Sequence, residues 1–433
     1  MVDFRPNLLK TSVKTIIKKD GIKFTDRMKK IRRLKNFLDF DKKYVNTFPV
    51  NAGEFSSVSD DEYHCFIVGS DQVWKRPNFR RKVMSNKILN TYAAYAFDDL
   101  IRKQSSSGAI FSLIAEKILS LSGIVYGVTM TDDCKGAEFV RVDNIEQLHL
   151  LRGSKYIQTK VGQAYKSVKN DLNSGRIVLF SGTGCQNNGL KKYLGKDYEN
   201  LYCIDVVCHG VPSPKLWRHY LEHIETINNA KIIGVNFRCK DQGWKNFGME
   251  EIQHDKKKVY IPSSQDSFMR MFLRNYCLRP SCYECEAKLV RCADLTLADF
   301  WGINFVAPEM NDNKGVSLVI IRSQRGQSLF DTIQEKLCYK KVDYNAAIKY
   351  NPSEITSAPR PKERNKFFSD LEKKEFIKME KKYAADAKIP LKQKVKNILR
   401  NALLRKNNGG GDSNVKNVSG YGMLFTFDMI DKK

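Results

Sequence analysis

The stretch RIVLFSGTGCQNNGLKKYLGKDYENLYCIDVVCHGVPSPKLW, residues Arg176–Trp217, contains one local pattern twice. In each half a short apolar run, RIVLF or LYCIDVV, predicts a buried strand, and a loop and a helical segment follow it. Gly195 predicts the end of the first helix, and Ser213 with Pro214 predicts the N-cap and first residue of the second. Successive strand–loop–helix units are typical of α/β folds.

The flanking sequence continues this alternation. Further strands are predicted at IVYGVTM (124–130), KIIGVNFRC (231–239), KKVYIP (257–262), DLTLADF (294–300) and VSLVIIRS (316–323). Further helices are predicted at FSLIAEKILSL (111–121), DSFMRMFLRNY (266–276) and SLFDTIQEKL (328–337). We therefore expect an α/β fold with a mixed sheet flanked by helices, preceded by a small α/β N-terminal fragment and followed by a basic helical tail.

The charge of the chain is strongly positive. Its 433 residues carry 74 Lys and Arg against 48 Asp and Glu, a formal net charge of +26, and the excess is concentrated near both ends, at 29–35 and 374–406. Solvated helix faces, peripheral membrane contact through the basic tail and nucleic-acid binding would each account for it. The sequence disfavours nucleic acid, because it has no RNA-binding signature and no zinc-finger spacing.

The sequence gives no sign of export. We find no run of about 20 apolar residues and no signal peptide, so we expect a cytoplasmic protein. In the cytoplasm the eleven cysteines should stay reduced, which favours metal binding or redox chemistry over disulfides.

Four of the cysteines are candidate metal ligands. Cys185 and Cys208 each follow a predicted strand, and Cys282 and Cys285 form a C-x-x-C pair whose thiolates can reach one metal or cluster. A structural zinc site and buried free thiols remain alternatives. Cys277 and Cys292 are ambiguous, and the other cysteines are interpreted as core or isolated residues.

Two small-residue segments could bind phosphate. QSSSGAIF (104–111) places serines and a glycine before a helix, and RGSKYIQ (152–158) adds a lysine and an aromatic ring. Together they suit a dinucleotide cofactor, although an N-cap or a turn explains each equally well. The G-x-G-x-x-G fingerprint is missing, so a usual Rossmann site is not expected.

In this order, QSSSGAIF, RGSKYIQ, FSGTGCQNNGLKKYL, VVCHGVPSPKLW, RPSCYEC and LTLADFWG resemble the beta subunits of coenzyme F420 hydrogenases and dehydrogenases over about residues 90–360. The resemblance implies an oxidoreductase with FAD and a 4Fe-4S cluster. It implies cluster ligands at Cys185, Cys208, Cys282 and Cys285, and a flavin lined by Ser106, Ser107, Gly108, Gly153, Ser154, Lys155 and Tyr156. This chain differs from the family pattern at Ala109, Gly184 and Ala298, where the pattern has Gly, Pro and Gly. The ferredoxin-like segment that many relatives carry before the serine-rich motif is absent there.

The first 90 residues carry a second resemblance. CFIVGSDQVWKRP (65–77) is similar to the start of bacterial polysaccharide pyruvyl transferases, which use phosphoenolpyruvate. The match stops soon after, so we interpret residues 1–90 as a fragment, residues 91–360 as the iron–sulfur flavoprotein domain and 361–433 as a basic helical and flexible tail.

Both resemblances point to bacterial surface-polysaccharide synthesis. The expected partners are an electron-donor protein or reduced cofactor, and a deazaflavin-like, other small-molecule or sugar acceptor. The alternative function is a pyruvyl transferase.

Overall fold

The computed structural model describes residues 88–385, and these contain a nine-stranded mixed sheet and a three-stranded antiparallel sheet. The large sheet has the order β12-β1-β11-β10-β6-β5-β2-β3-β4, and the small one has the order β7-β8-β9. The strands are β1 Asn90–Ala96, β2 Ile124–Met130, β3 Ala137–Val142, β4 Thr159–Lys160, β5 Val178–Thr183, β6 Leu201–Val206, β7 Ile232–Cys239, β8 Gly248–Gln253, β9 Lys258–Pro262, β10 Leu295–Asp299, β11 Ser317–Ile321 and β12 Leu337–Lys341.

Helices cover both the large sheet and the small one, as the predicted α/β class requires. They are α1 Asp99–Gln104, α2 Ile110–Ser120, α3 Ala164–Asn173, α4 Gly184–Leu194, α5 Pro214–Asn228, α6 Ser267–Leu273, α7 Ile303–Val306, α8 Gln324–Asp331, α9 Tyr344–Ile348, α10 Arg364–Lys373 and α11 Phe376–Met379. Short 3₁₀ turns lie at Ile145–Leu151 and Pro280–Glu284.

The centre of the large sheet is parallel. Strands β2, β5, β6 and β10 run in one direction, and antiparallel partners extend the sheet on both sides. Parallel strands are covered on both faces, which explains the continuous apolar runs of the opening stretch. Within that stretch β5 pairs with β6 from Val178↔Leu201 to Thr183↔Val206, so both strands end side by side.

The sequence-predicted elements of this region are confirmed, including their ends. Gly195 closes α4 with φ 70°, a left-handed conformation suited to glycine. The Ser213 hydroxyl caps α5 by accepting from the Lys215 amide, with Pro214 at the first helical position. Five strands were not predicted: β1, β3, β4, β8 and β12.

Helices from the start of the predicted basic tail pack into the fold. Phe367 and Leu371 of α10 and Met379 of α11 are fully buried in the cluster that also contains Trp217 of α5. Between residues 88 and 385, no helix combines the length and apolarity needed to cross a membrane. The predicted pyruvyl transferase-like fragment and the basic segment at 29–35 lie outside the described residues, as does the tail beyond 385.

A buried hydroxyl beside two carboxyl groups makes the fold sensitive to pH. The Tyr220 hydroxyl lies 2.8 Å from Glu251 Oε1 and 2.6 Å from Asp266 Oδ2. A phenol has one proton, so one carboxyl group must itself be protonated to complete both bonds. Asp266 also accepts from the Met269 amide, whereas Glu251 Oε2 is buried without a partner, so Glu251 is the protonated group.

We expect Glu251→Gln to flatten the pH dependence of stability. Burial raises the pKa of Glu251 to about 7, above its unfolded value near 4.3, so the folded state holds a proton that the unfolded state loses. This contribution is complete below about pH 4 and is lost as pH rises to about 7. Urea unfolding from pH 5 to 8 should show the wild type losing on the order of 2 kcal/mol more than the variant, in which Asp266, whose pKa burial raises to about 6, still titrates. The control Glu335→Gln, at an exposed position, should show the same pH dependence of stability as the wild type. If the unfolding free energy changes equally with pH in the wild type and both variants, Glu251 is not the protonated group.

Candidate functional site

Two of the predicted cysteine ligands leave the sheet at the same edge. Thr183 and Val206 are the last paired residues of β5 and β6, and Cys185 and Cys208 each follow two positions later. Cys185 lies in the first turn of α4, where the Thr183 and Gln186 side chains form a capping box. The Cys185 side chain is exposed, and that of Cys208 is partly buried.

The C-x-x-C segment is held against the loop that follows Cys208. The Ser213 amide donates to the Cys277 carbonyl at 2.8 Å, and the Arg279 amide donates to the Val211 carbonyl at 2.8 Å. The Val211 amide also lies 3.4 Å from the Cys282 sulfur. The Ser357 hydroxyl accepts from the Cys285 amide at 2.9 Å, which fixes the other end of the pair.

The four predicted thiols lie within electrostatic reach of one another. Burial raises the pKa of Cys208 to about 12, and Lys288 opposes this, whereas Cys185, Cys282 and Cys285 add to it. Burial likewise raises the pKa of Cys282, with contributions from Cys285 and Cys185. A positively charged iron centre would offset this cost by stabilising the thiolates.

No three of the four predicted sulfurs all lie within 4.8 Å of one another. Four thiolates around one zinc ion at about 2.3 Å would lie about 3.8 Å apart. Among residues 88–385, the one group of three or more potential ligand atoms within 4.8 Å of one another is Cys239, Asp241 and Glu250, and it contains none of the four cysteines.

Two buried cations lie beside the four cysteines, and neither was predicted from the sequence. The Lys288 ammonium donates to the Cys208 carbonyl at 2.6 Å and to the Ser353 carbonyl. Arg291 pairs with Asp205 and Glu354, each at 2.8 Å, and all three side chains are at most 3% exposed. Their only sequence signal is position: Lys288 and Arg291 follow the C-x-x-C pair within six residues.

Among the remaining described cysteines, Cys134, Cys203, Cys239, Cys277 and Cys338 are not in disulfides. Cys277 is fully buried in an apolar cluster, and burial raises its pKa to about 12. The Cys292 amide donates to the Asn188 side chain at 3.1 Å. His209 packs edge-on against Phe272 at 5.2 Å, and burial lowers its pKa.

The two small-residue segments meet, although 48 residues separate them. The Ser106 and Ser154 hydroxyls are 2.9 Å apart. Ser107 donates to the Val316 carbonyl at 2.8 Å, and the Gly108 amide donates to the Ser317 hydroxyl at 2.9 Å. A Cβ on Gly108 would lie 2.3 Å from the Ala94 carbonyl oxygen, so only glycine allows this loop to pass so close to β1.

The start of α2 suits an anion. Ala109, where the family pattern has glycine, adopts φ 68° immediately before the helix, and no side chain caps the free amides. A left-handed alanine costs roughly 1 kcal/mol, so this residue strains the loop.

The second segment contributes a glycine turn, a lysine and a ring. Gly153 has φ 79° with no atom within 4 Å of an added Cβ. Lys155 donates to the carbonyls of Leu150 and Arg152, and burial lowers its pKa to about 7. Tyr156 packs against Phe272 at 5.4 Å, the same ring that contacts His209. The two predicted sites are therefore joined through Phe272.

Two cations from β7 and the following residue complete this region. Arg238 is 3% exposed, pairs with Asp299 at 3.3 Å and lies over the ring of Trp301 at 5.1 Å. Its Nε has no hydrogen-bond partner among the described residues. The Lys240 ammonium donates to the Arg102 and Ser107 carbonyls, and burial lowers its pKa to about 8. Neither cation was predicted from the sequence, where both resemble ordinary residues at the end of a strand.

Comparison with known proteins identifies the part of the chain that holds the cysteine cluster. Residues 175–346 match the sequence model that describes the C terminus of the beta subunit in the coenzyme F420 hydrogenase/dehydrogenase family. These residues form a domain of that family. All four predicted cysteine ligands lie within this F420 hydrogenase beta-type domain, whereas the seven predicted flavin residues precede it.

The family model that matches these residues describes oxidoreductases of the F420 hydrogenase beta-subunit type. A chain of the F420-reducing [NiFe] hydrogenase complex from Methanosarcina barkeri is similar in structure, with a TM-score of 0.42 and 15% identity, over 59% of this chain and 83% of that one. No curated protein matches the sequence.

Proposed function

We propose that this chain is an iron–sulfur flavoprotein that transfers electrons between FAD and a deazaflavin-like or sugar-pathway acceptor, in bacterial surface-polysaccharide synthesis. The observation that carries the proposal is that Cys185, Cys208, Cys282 and Cys285 lie within electrostatic reach of one another. When bound, FAD exchanges electrons singly or in pairs and a 4Fe-4S cluster exchanges them singly, which is the chemistry such an oxidoreductase needs.

The residues divide the work between the two cofactors. The four thiolates would hold the cluster, and the uncapped amides of α2, the paired Ser106 and Ser154 hydroxyls and the Gly153 turn would receive phosphate oxygens. Arg238 would supply a buried charge beside the flavin. Tyr156 and Phe272 would exclude water between the two cofactors, because both rings pack into the apolar cluster there.

Anaerobic purification tests this proposal directly. The full chain should carry about four irons and one FAD, with a broad absorption near 400 nm that bleaches on reduction. Colourless protein with zinc, and with neither iron nor flavin, would overturn it. Phosphoenolpyruvate-dependent modification of a glycan by the same preparation would instead favour the transferase.

Lys288 is expected to raise the reduction potential of the cluster. Its ammonium contacts the Cys208 carbonyl, and a nearby positive charge stabilises the reduced, more negative state. Lys288→Gln, which keeps a donor but removes the charge, should lower the midpoint potential by on the order of 60 mV, equivalent to roughly 1.4 kcal/mol for one electron.

A redox titration monitored by electron paramagnetic resonance measures this shift in midpoint potential. The control is Lys192→Gln, on the exposed face of the helix that carries Cys185, where solvent screens the charge. If both variants keep their iron and share the wild-type potential, Lys288 has no such role.

A further inference from the structure

The small sheet carries three potential metal ligands that have no part in the functions described above. The Cys239 sulfur, a carboxylate oxygen of Asp241 and a carboxylate oxygen of Glu250 all lie within 4.8 Å of one another. Around one zinc ion, with sulfur at about 2.3 Å and oxygen at about 2.0 Å, such ligand atoms would lie roughly 3.5 Å apart. Small side-chain rotations would therefore bring the three groups onto one ion.

A β-bulge places Cys239 on the same face of the sheet as Glu250. Between the pairs Asn236↔Glu250 and Cys239↔Gly248, two residues of β7 lie opposite one residue of β8. Side chains alternate between the two faces of a strand, so without the extra residue Cys239 would point to the other face. Bulges often redirect a side chain in this way next to functional sites.

Two of the three ligands are buried, and the third is open to solvent. Cys239 is 4% exposed and Glu250 is 8% exposed, whereas the Asp241 side chain is 54% exposed. A Cβ on Gly248, opposite Cys239, would lie 2.6 Å from the Tyr260 ring, so glycine lets that ring cover one side of the group. An ion would therefore enter from the side of Asp241 and keep a coordination position for water there.

The neighbouring lysines neutralise this group weakly. Burial raises the pKa of the Cys239 thiol, the Asp241 amide opposes this, and the Asp241 and Glu250 carboxylates add to it. The Lys258 ammonium lies 3.4 Å from both Glu250 oxygens, and its side chain is 62% exposed. Lys103 lies 3.4 Å from Asp241 and is 72% exposed. Solvent screens both ion pairs, so a divalent ion can displace the two lysines.

The group lies on the strand end that also carries the two cations of the flavin segment. Arg238 precedes Cys239, and Lys240 lies between Cys239 and Asp241 in the chain. The Lys240 ammonium donates to the Ser107 carbonyl of the serine segment at 3.2 Å. An ion bound here would fix the end of β7 and with it both cations, whose role toward flavin rests on the proposed function.

We infer that Cys239, Asp241 and Glu250 bind one zinc ion, with a thiolate, two carboxylates and a water molecule as its ligands. A thiolate among the ligands favours zinc over magnesium and calcium, which prefer oxygen alone. The ion ties the end of β7 to β8. Its ligands are separate from the four predicted cluster cysteines, so zinc binding needs neither the cluster nor FAD.

Metal analysis of the full chain, purified without oxygen and dialysed first against zinc and then against metal-free buffer, tests the inference. The wild type should retain about one zinc ion per chain. Cys239→Ser and Asp241→Asn should each weaken zinc binding about tenfold or more, measured by competition with a chelator. The exposed position of Asp241 keeps the second variant informative if the first does not fold.

Matched controls are Cys134→Ser, at another buried thiol, and Asp255→Asn, at another exposed carboxylate near the same strands. Both should bind zinc as the wild type does. Lys258→Gln removes a cation that competes for Glu250, so it should tighten zinc binding severalfold. A purely structural role of these side chains would not produce that gain.

Three outcomes overturn the assignment: wild type without zinc, zinc affinity unchanged in both ligand variants, and equal losses in Cys239→Ser and Cys134→Ser. Iron and flavin measured on the same preparation keep the two proposals separate. Zinc that depends on Cys239 and Asp241, in protein without iron or flavin, would preserve this site and remove the redox function. Protein with iron and flavin that binds no zinc would do the reverse.

Discussion

Replacing Cys282 with serine should remove most of the iron from anaerobically purified protein. Cys282 begins the C-x-x-C pair, and its sulfur lies 3.4 Å from the Val211 amide in the loop after Cys208. A serine hydroxyl stays protonated near neutral pH and is a poor ligand for iron, so three thiolates would have to hold the cluster. We expect a severalfold loss of iron and of absorption near 400 nm, measured by metal analysis and spectroscopy.

Cys338→Ser is the matched control for this experiment. Cys338 is also a partly buried thiol, but it lies on β12 at the edge of the large sheet, beside Tyr95 of β1. The iron content of the Cys338→Ser variant should equal that of the wild type. Full iron content in Cys282→Ser, or equal losses in both variants, would show that the four cysteines do not form the site.

The sequence could predict that Cys185 and Cys208 leave one sheet edge, because local rules determine where the two strands end. Two apolar strands followed by helices imply adjacent parallel strands, and Cys185 and Cys208 then leave the same sheet edge. The pair Cys282 and Cys285 is identified by its spacing alone. What the sequence could not provide is the antiparallel contact between residues 211–213 and 277–279 that brings the two halves together.

The meeting of the two segments predicted to bind flavin was less predictable, because long-range contacts bring them together. Ser106 and Ser154 are 48 residues apart, and no periodicity links them. Arg238 follows the apolar residues of β7 and resembles an ordinary strand residue until Asp299 is found beside it. Strand β1, NTYAAYA, is rich in alanine, a weak strand former, although it is buried between β11 and β12.

Arg291→Met should destabilise the fold more than any surface change. The Arg291 side chain is 3% exposed and pairs with Asp205 and Glu354, both also buried. Removing the guanidinium leaves Asp205 with the Thr296 hydroxyl as its remaining side-chain donor, and it leaves Glu354 dependent on Arg322. Loss of one member of such a buried ionic group costs about 3–5 kcal/mol, because the remaining charges lack solvent and a partner.

Arg141→Met provides the comparison, since Arg141 also pairs with two carboxylates. The Arg141 guanidinium lies 2.5 Å from the Asp143 carboxylate and 2.9 Å from the Asp171 carboxylate. However, the Arg141 side chain is 36% exposed, so solvent screens both ion pairs. Urea unfolding should therefore show a cost of about 0–1 kcal/mol for Arg141→Met. Adding Asp205→Asn to Arg291→Met should recover part of the stability, because it removes an unpaired charge. If Arg291→Met and Arg141→Met cost the same unfolding free energy, or if adding Asp205→Asn to Arg291→Met lowers stability further, then Arg291 stabilises the fold by its shape rather than by its charge.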